Sequence, residues 1–123
     1  MQAKAKKRNI KITPRKLRLM VKMVKKMPPA SAVAKLKFVN KKSARILHEA
    51  VKQAIANARN LKLDSSVLVF KEIIVDEGPK LKRRDKFHGA RFDSGIIHKR
   101  MSHLKIVLEE KRNNKKNKYG TKN

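Results

Sequence analysis

The sequence contains no cysteine and no tryptophan, and only one tyrosine, four phenylalanines, four glycines, four prolines and nine carboxylates. Without cysteine there can be no disulfide, no thiolate nucleophile and no zinc-finger ligand set, and a reducing compartment is the expected setting. With so few acids and only four histidines, the clustered carboxylates and imidazoles of a metal or nuclease centre are hard to assemble. No apolar run approaches the roughly 18 residues of a membrane-spanning helix. The lysine-rich start lacks the apolar segment of a secretion signal, so the expected setting is cytoplasmic, with an organellar form equally compatible. Neither a cofactor nor a small-molecule substrate is expected.

What the chain does have is positive charge. Thirty-five Lys and Arg give a formal net charge of +26 over 123 residues, of which 40% are hydrophobic. That length supports one core, and self-repulsion on this scale disfavours an isolated compact state unless a polyanion neutralises it. The charge is unevenly spread. Residues 1–48 hold sixteen Lys or Arg and no carboxylate, whereas residues 49–79 hold five acids and four bases. The first part reads as a surface for an outside anion, the second as ordinary protein surface over a core.

Apolar periodicity places the elements. A strand is expected near Lys4 to Ile12, adding to a later sheet. Thr13-Pro14 starts a helix whose stripe is Leu17, Met20, Val21, Val24 and Met27, and Pro28-Pro29 stops it. A short helix follows over Pro29 to Phe38. Asn40 is expected to cap a third, long helix with the stripe Ile46, Leu47, Ala50, Val51, Ala54, Ile55 and Ala58, and Asn57 and Asn60 suit its end. From Val67 to Val75 the residues Val67, Val69, Ile73 and Val75 alternate with Leu68, Phe70 and Ile74. Apolar residues on both faces predict the central strand of the sheet. A return strand begins at Met101 and points Leu104, Ile106 and Leu108 inward. The expected fold class is α+β: three helices packed on a small three-stranded antiparallel sheet, with a long protruding β-hairpin. One domain is expected over residues 1–110, with the hairpin extension at about 78–100 and a basic tail over 111–123 that is disordered when free.

Candidate binding residues follow from the charge map. Arg8 and Lys11 lie on the first strand, and Arg15, Lys16, Arg18 and Lys22 lie on the polar face of the first helix. Bases in a helix's first turns oppose its dipole, so they point to an anion outside the chain. Between Gly78 and Arg100 eight bases face only Asp85 and Asp93. These bases, Lys80, Lys82, Arg83, Arg84, Lys86, Arg91, Lys99 and Arg100, are candidates for phosphate contacts. His88 and His98 suit stacking on bases or bonding to phosphate. Phe87 and Phe92 either stack on RNA or pack on each other at the tip. No catalytic residue is expected. Asp76 and Glu77 stand at the hairpin base, far from His88, Asp93 and His98, and adjacent Ser102 and His103 point to opposite faces of a strand, unlike a nucleophile and its base.

Several stretches together resemble one family. Val75-Asp76-Glu77-Gly78-Pro79-Lys80-Leu81-Lys82-Arg83, followed by Lys99-Arg100-Met101-Ser102-His103, resembles the hairpin flanks of the large-subunit ribosomal protein L twenty-two family. Thr13-Pro14-Arg15-Lys16-Leu17-Arg18 is similar to that family's Ser-Pro-x-Lys-x-Arg helix start, and Gln53-Ala54-Ile55-Ala56-Asn57-Ala58 to its Ser-Ala-Ile-Ala-Asn-Ala signature. The tip departs: Phe87-His88-Gly89-Ala90-Arg91-Phe92-Asp93-Ser94-Gly95 stands where the family carries Pro-Arg-Ala-x-Gly-Arg-Ala. The resemblance implies a structural protein that binds large-subunit ribosomal RNA, aids assembly, and extends its hairpin to the wall of the nascent-peptide exit tunnel. The implied partners are that RNA, neighbouring ribosomal proteins and the nascent peptide at the hairpin tip, with no membrane. It also implies that Lys41 and Lys42, opening Lys41-Lys42-Ser43-Ala44-Arg45, face phosphate, and that Ser102 and His103 have structural and RNA-contacting roles. A DNA-compacting protein with basic two-stranded arms is the rival reading. Such arms usually carry an apolar wedge and a dimer interface, whereas Gly89, Arg91 and Asp93 dominate this tip. A membrane-active amphipathic helix fits less well, because the basic helix is one of several packed elements.

Binding dominated by phosphate contacts weakens steeply with salt, by roughly 0.7 to 0.9 log units in affinity per neutralised phosphate per log unit of salt. RNA titrations across a salt series should give a slope of several units, and replacing Arg15, Lys16 and Arg18 by Ala should flatten it. A shallow dependence in the parent protein would remove the phosphate reading.

Overall fold

In the computed structural model, which describes residues 1–87 and 95–111, the order is β1 (Gln2–Ile10), α1 (Pro14–Val24), α2 (Pro29–Phe38), α3 (Lys42–Asn60), β2 (Leu68–Arg84) and β3 (Ile96–Glu110). The strands form one antiparallel sheet in the order β1-β3-β2. The α+β class is as expected, but β3 is the central strand and β2 an edge. The register shows why. A bulge at Lys71 lies between the pairs Phe70↔Leu108 and Glu72↔Val107, so the side-chain alternation of β2 changes phase there. Leu68, Phe70, Ile73 and Val75 then oppose Glu110, Leu108, Ile106 and Leu104, and all share one face. Apolar residues that had counted for two faces therefore serve one. β3 is the strand covered on both sides, with Ser102, Leu104, Ile106, Val107 and Leu108 all buried.

The helices lie on that face. Leu17, Val21 and Val24 of α1, Ala32 and Leu36 of α2, and Leu47, Ala50, Val51, Ala54 and Ala58 of α3 are buried in one cluster with Leu104, Ile106 and Leu108. Each fully buried Leu or Ile contributes on the order of 1.5–3 kcal/mol by leaving water. Met20, Ile46 and Ile55 of the expected stripes are half-buried at its margin. β1 contributes Ala3 and Ala5, both buried, and these small residues let α3 approach the sheet closely. Asn57 holds the approach, its Nδ2 donating to the carbonyl of Lys4 at 2.9 Å. Lys7 and Glu49 form an ion pair between the same two elements, and that hydrogen bond holds the Glu49 carboxyl below its usual range. β1 starts and ends two residues earlier than expected, because the chain bulges at Asn9 and then turns. Asn9 has φ 54°, a left-handed conformation that Asn tolerates, and the Ile12 N–H donates to the Ile10 carbonyl at 2.8 Å.

The ends of α3 also differ from expectation. Its N-cap is Lys41, not Asn40, and makes no side-chain hydrogen bond. Its C-terminus is closed by the backbone: the N–H of Lys62 donates to the Arg59 carbonyl at 2.9 Å and that of Leu63 to the Ala58 carbonyl at 3.0 Å. This is a Schellman closure, with buried Leu63 folding back on buried Ala58. Asn60 is the last helical residue, as its place near the end suggested, but the left-handed residue that the closure requires is Lys62, at φ 58°. An L-residue there costs about 1–2 kcal/mol, whereas Gly carries only its own entropy cost of roughly 0.5–1 kcal/mol. Lys62→Gly should therefore stabilise the fold by about 0.5–1 kcal/mol in chemical denaturation, while Lys62→Ala, which keeps the steric conflict, should give no gain. Equal effects of the two would show that φ at this position is not the source of the cost.

Candidate nucleic-acid interface

Two helix starts meet at one place on the surface. α1 begins after the turn at Ile12, with Thr13 extended and Pro14 in the first helical position, and α3 begins after extended Lys41. Neither has an acidic residue in its first turn or a side chain capping its free N–H groups. Between them lies a cleft of about 580 Å³, lined by Lys11, Ile12, Thr13, Lys16, Leu19, Met20, Lys41, Lys42, Ser43 and Arg100. A second hollow of about 360 Å³, lined by Lys11, Lys42, Leu81, Arg83, Lys99, Arg100 and Met101, shares Lys11, Lys42 and Arg100 with the first. The two form one basic surface at the hairpin base. Its seven cations come from the turn after β1, from α1, from the start of α3 and from both hairpin strands.

None of these seven is ion-paired among the described residues. The carboxylates are engaged elsewhere, in Lys7–Glu49, Lys71–Glu109 at 2.9 Å, Lys80–Glu77 at 3.4 Å and Lys105–Glu72 at 3.6 Å. Asp64 is likewise remote, and the backbone N–H and hydroxyl of Ser66 hold its carboxyl below the usual range. Uncapped N–H groups, the positive ends of two helix dipoles and unpaired ammonium and guanidinium groups all favour an anion in the cleft. Ser43, nearly buried, adds a hydroxyl to the lining.

From this surface outward the hairpin strands stay paired, through Lys80↔Arg100, Leu81↔Lys99, Lys82↔His98, Arg83↔Ile97 and Arg84↔Ile96, and all ten residues are exposed. The Asp85 N–H donates to the Gly95 carbonyl at 2.9 Å, extending the closure by one step. Only Lys80 and Arg100 are cations directly opposite each other, but the concentration of positive charge on two exposed strands weakens such a ribbon. The register slips between Glu77 and Lys80, the irregularity expected of Gly78-Pro79. A Cβ at position 78 would lie 3.0 Å from the Met101 carbonyl carbon, so the close approach of β3 requires Gly.

The remaining candidates divide. Arg15, Lys22 and Lys86 are exposed. Arg8 is exposed beside the β1 bulge and lines a separate hollow of about 440 Å³ with Lys6, Asn9, Asp76 and His103. His88 and Arg91, with Phe92 and Asp93, lie outside the described residues. Two candidates are engaged within the fold itself. Arg18 donates from Nη2 and Nε to the Val75 carbonyl, at 2.9 and 3.3 Å, and so ties α1 to β2. Ser102 is fully buried on the helix-facing side of β3, and its hydroxyl has no hydrogen-bond partner among the described residues. His103 is half-buried and its Nδ1 accepts the Asn9 N–H at 3.1 Å, which braces the bulge. Thr13, Ser43, Leu19 and Met20 line the cleft although the sequence assigned them no binding role; the signal was two helix starts free of acids. No three His, Asp or Glu among the described residues are grouped to hold a metal.

Comparison with known families gives one finding: residues 5–109 match the model of the family described as Ribosomal protein L22p/L17e. The match covers β1 from Ala5 onward, all three helices, all of β2, and β3 as far as Glu109.

Ser102 offers a direct check of its assignment to the core. An unsatisfied buried hydroxyl costs about 1–3 kcal/mol, so Ser102→Ala should leave the protein as stable or more stable, by up to about 1 kcal/mol, and leave RNA affinity unchanged. Urea midpoints and RNA titrations measure both, and a loss of affinity at constant stability would restore Ser102 to the interface.

Proposed function

The chain belongs to the ribosomal protein L22p/L17e family, and from that premise we propose where it holds RNA and what its hairpin is for. Membership makes it an RNA-binding structural constituent of the large ribosomal subunit, in a family that is not one of enzymes, and its place is on a ribosome. The finer reading is that the RNA backbone runs through the cleft between the starts of α1 and α3 and continues along the hairpin. The observation that carries it is the set of seven unpaired cations around two joined hollows. No carboxylate on this surface competes for them, so a string of phosphates is the ligand that satisfies them together. Lys82, Arg84 and His98 extend the same chemistry outward.

The hairpin follows the same logic. From Gly78 to Arg84 it would reach about 23 Å at roughly 3.3 Å per residue. The excess of Lys and Arg on two exposed strands makes phosphate its stabilising partner, and it becomes rigid as the subunit assembles around it. In this reading residues 1–110 are the RNA-binding domain, the hairpin extends to the wall of the nascent-peptide exit tunnel, where its tip meets the nascent peptide, and residues 111–123 order on RNA. The body rests against neighbouring ribosomal proteins.

Lys11, Lys16 and Lys42 test the cleft better than Arg18, because they are exposed and make no internal contact. Changing all three to Gln should not lower the unfolding midpoint of the free protein, since it removes repulsion, and should reduce the salt slope by roughly 2 to 3, at about 0.7–0.9 per phosphate. An unchanged slope would move the RNA elsewhere. For the tip, deleting residues 89–94 should permit incorporation into large subunits and change the space that probes on a nascent chain encounter. Loss of incorporation would make the tip an assembly determinant instead.

A further inference from the structure

On the far side of α3 from the basic cleft's chemistry lies a groove of a different kind, of about 640 Å³, between α2 and α3. Its apolar lining is Pro29, Ala30 and Val33 of α2 and Ile55 and Ala56 of α3, closed at one end by Leu68 and the turn at Ser65 and Ser66. Val33 and Ile55 are large aliphatic side chains that the fold leaves only half-buried. Ile55 belongs to the apolar stripe of α3, yet nothing in the chain's described residues finishes covering it. Two cations stand on the groove, Lys52 and Arg59, seven residues apart on α3 with Ile55 and Ala56 between them. At 1.5 Å per residue they are separated by about 10 Å along the helix. Neither has a carboxylate partner among the described residues.

We propose that this groove docks a neighbouring protein of the large subunit, through a segment that presents an apolar side chain between two carboxylates. The proposal rests on the ribosomal reading above and adds to it the surface and chemistry of a protein contact. Charge selects the occupant. The groove lies mainly within the balanced part of the chain, where residues 49–79 hold five acids and four bases, and it offers two cations where the RNA surface offers seven. No aromatic ring lines it for a base to stack on. The chain's own tail, residues 111–123, carries six bases and no acid, and a second copy carries the same net charge of +26, so Lys52 and Arg59 repel both. An acidic and apolar segment satisfies the two cations and covers Val33 and Ile55 in one contact, the mode by which an amphipathic helix enters a groove.

The absence of cysteine makes the test clean. Ala56→Cys and, separately, Ser66→Cys are labelled with a maleimide-benzophenone photocrosslinker, assembled into large subunits, isolated and irradiated. Lys16→Cys, labelled in the same way, reports on the basic cleft. The groove labels should form adducts with another protein, with the attached peptide rich in Asp or Glu beside apolar residues, and Lys52→Glu with Arg59→Glu should cut that adduct at least tenfold. Adducts with RNA, adducts with the label's own chain, or none from either groove position in subunits that contain the protein overturn the proposal. RNA adducts from the Lys16→Cys label in those same subunits keep the RNA reading intact while the groove fails. If no labelled variant enters large subunits, the ribosomal reading fails and the groove proposal falls with it.

Discussion

The close packing of α3 on β1 is the contact on which the rest depends. It is possible because Ala3 and Ala5 keep the helix-facing side of β1 low, and because α3 answers with Ala50, Ala54 and Ala58 between its larger residues. Two polar links fix the approach, Asn57 to the Lys4 carbonyl and Glu49 to Lys7. The first carries more weight, since an amide donating to a backbone carbonyl specifies direction, while an exposed ion pair contributes little. With α3 set, its N-terminus falls beside the start of α1. The cleft is therefore a consequence of helix placement, and a bulkier residue at Ala3 or Ala5 would disturb the RNA surface by lifting α3 without touching a single basic side chain.

Electrostatics then works against the isolated fold and for the complex. A chain that spent its carboxylates on neutralising residues 1–48 would be more stable alone and less able to hold RNA. Here the ion pairs of the described residues sit on the sheet, on the link from β1 to α3 and at the foot of the hairpin, away from the helix starts. Even the usual local compensation, an acid in the first turn of a helix, is missing from all three helices. The helix dipoles and the lysines around them repel each other until an anion arrives. Affinity for a polyanion and low intrinsic stability are in this respect one property seen in two states.

Much of the fold was legible because periodicity and proline act locally. The stripe Leu17, Val21 and Val24, the limits Pro29 and Phe38, and the row from Leu47 to Ala58 stand in the structure as the residues imply. What was hidden is what local pattern does not encode. A bulge at Lys71 reverses the alternation of β2 and leaves no mark in a run such as Phe70-Lys71-Glu72-Ile73, so strand order was misjudged from faces that were never separate. The αL residue closing α3 is Lys62, a type with no preference for that conformation, and it is held there by backbone bonds and by Leu63. For the candidate interface, charge identified the basic residues but not their company. Lys11, Lys16, Lys42 and Arg100 are brought together only by the tertiary fold, and the diversion of Arg18 to Val75 spans 57 residues. The burial of Ser102 likewise depends on which face of β3 the helices cover.

The same uneven charge that marks an RNA surface also marks where RNA is not the fitting partner. A protein with +26 net charge would bind phosphate over its whole surface if its cations were evenly spread, and binding would then have no register. In the proposed reading, the seven unpaired cations at the hairpin base and the apolar groove between α2 and α3, lined by only two, give the molecule two sites of different affinity. In that reading, phosphate contacts at one site set position, and an apolar, weakly basic contact at the other distinguishes a protein neighbour from more RNA. Orientation in an assembly needs both. In the proposed reading, the near balance of acids and bases over residues 49–79, which supply most of the groove's lining, matters as much as the basic excess before it, because it leaves few free cations there to compete for the polyanion.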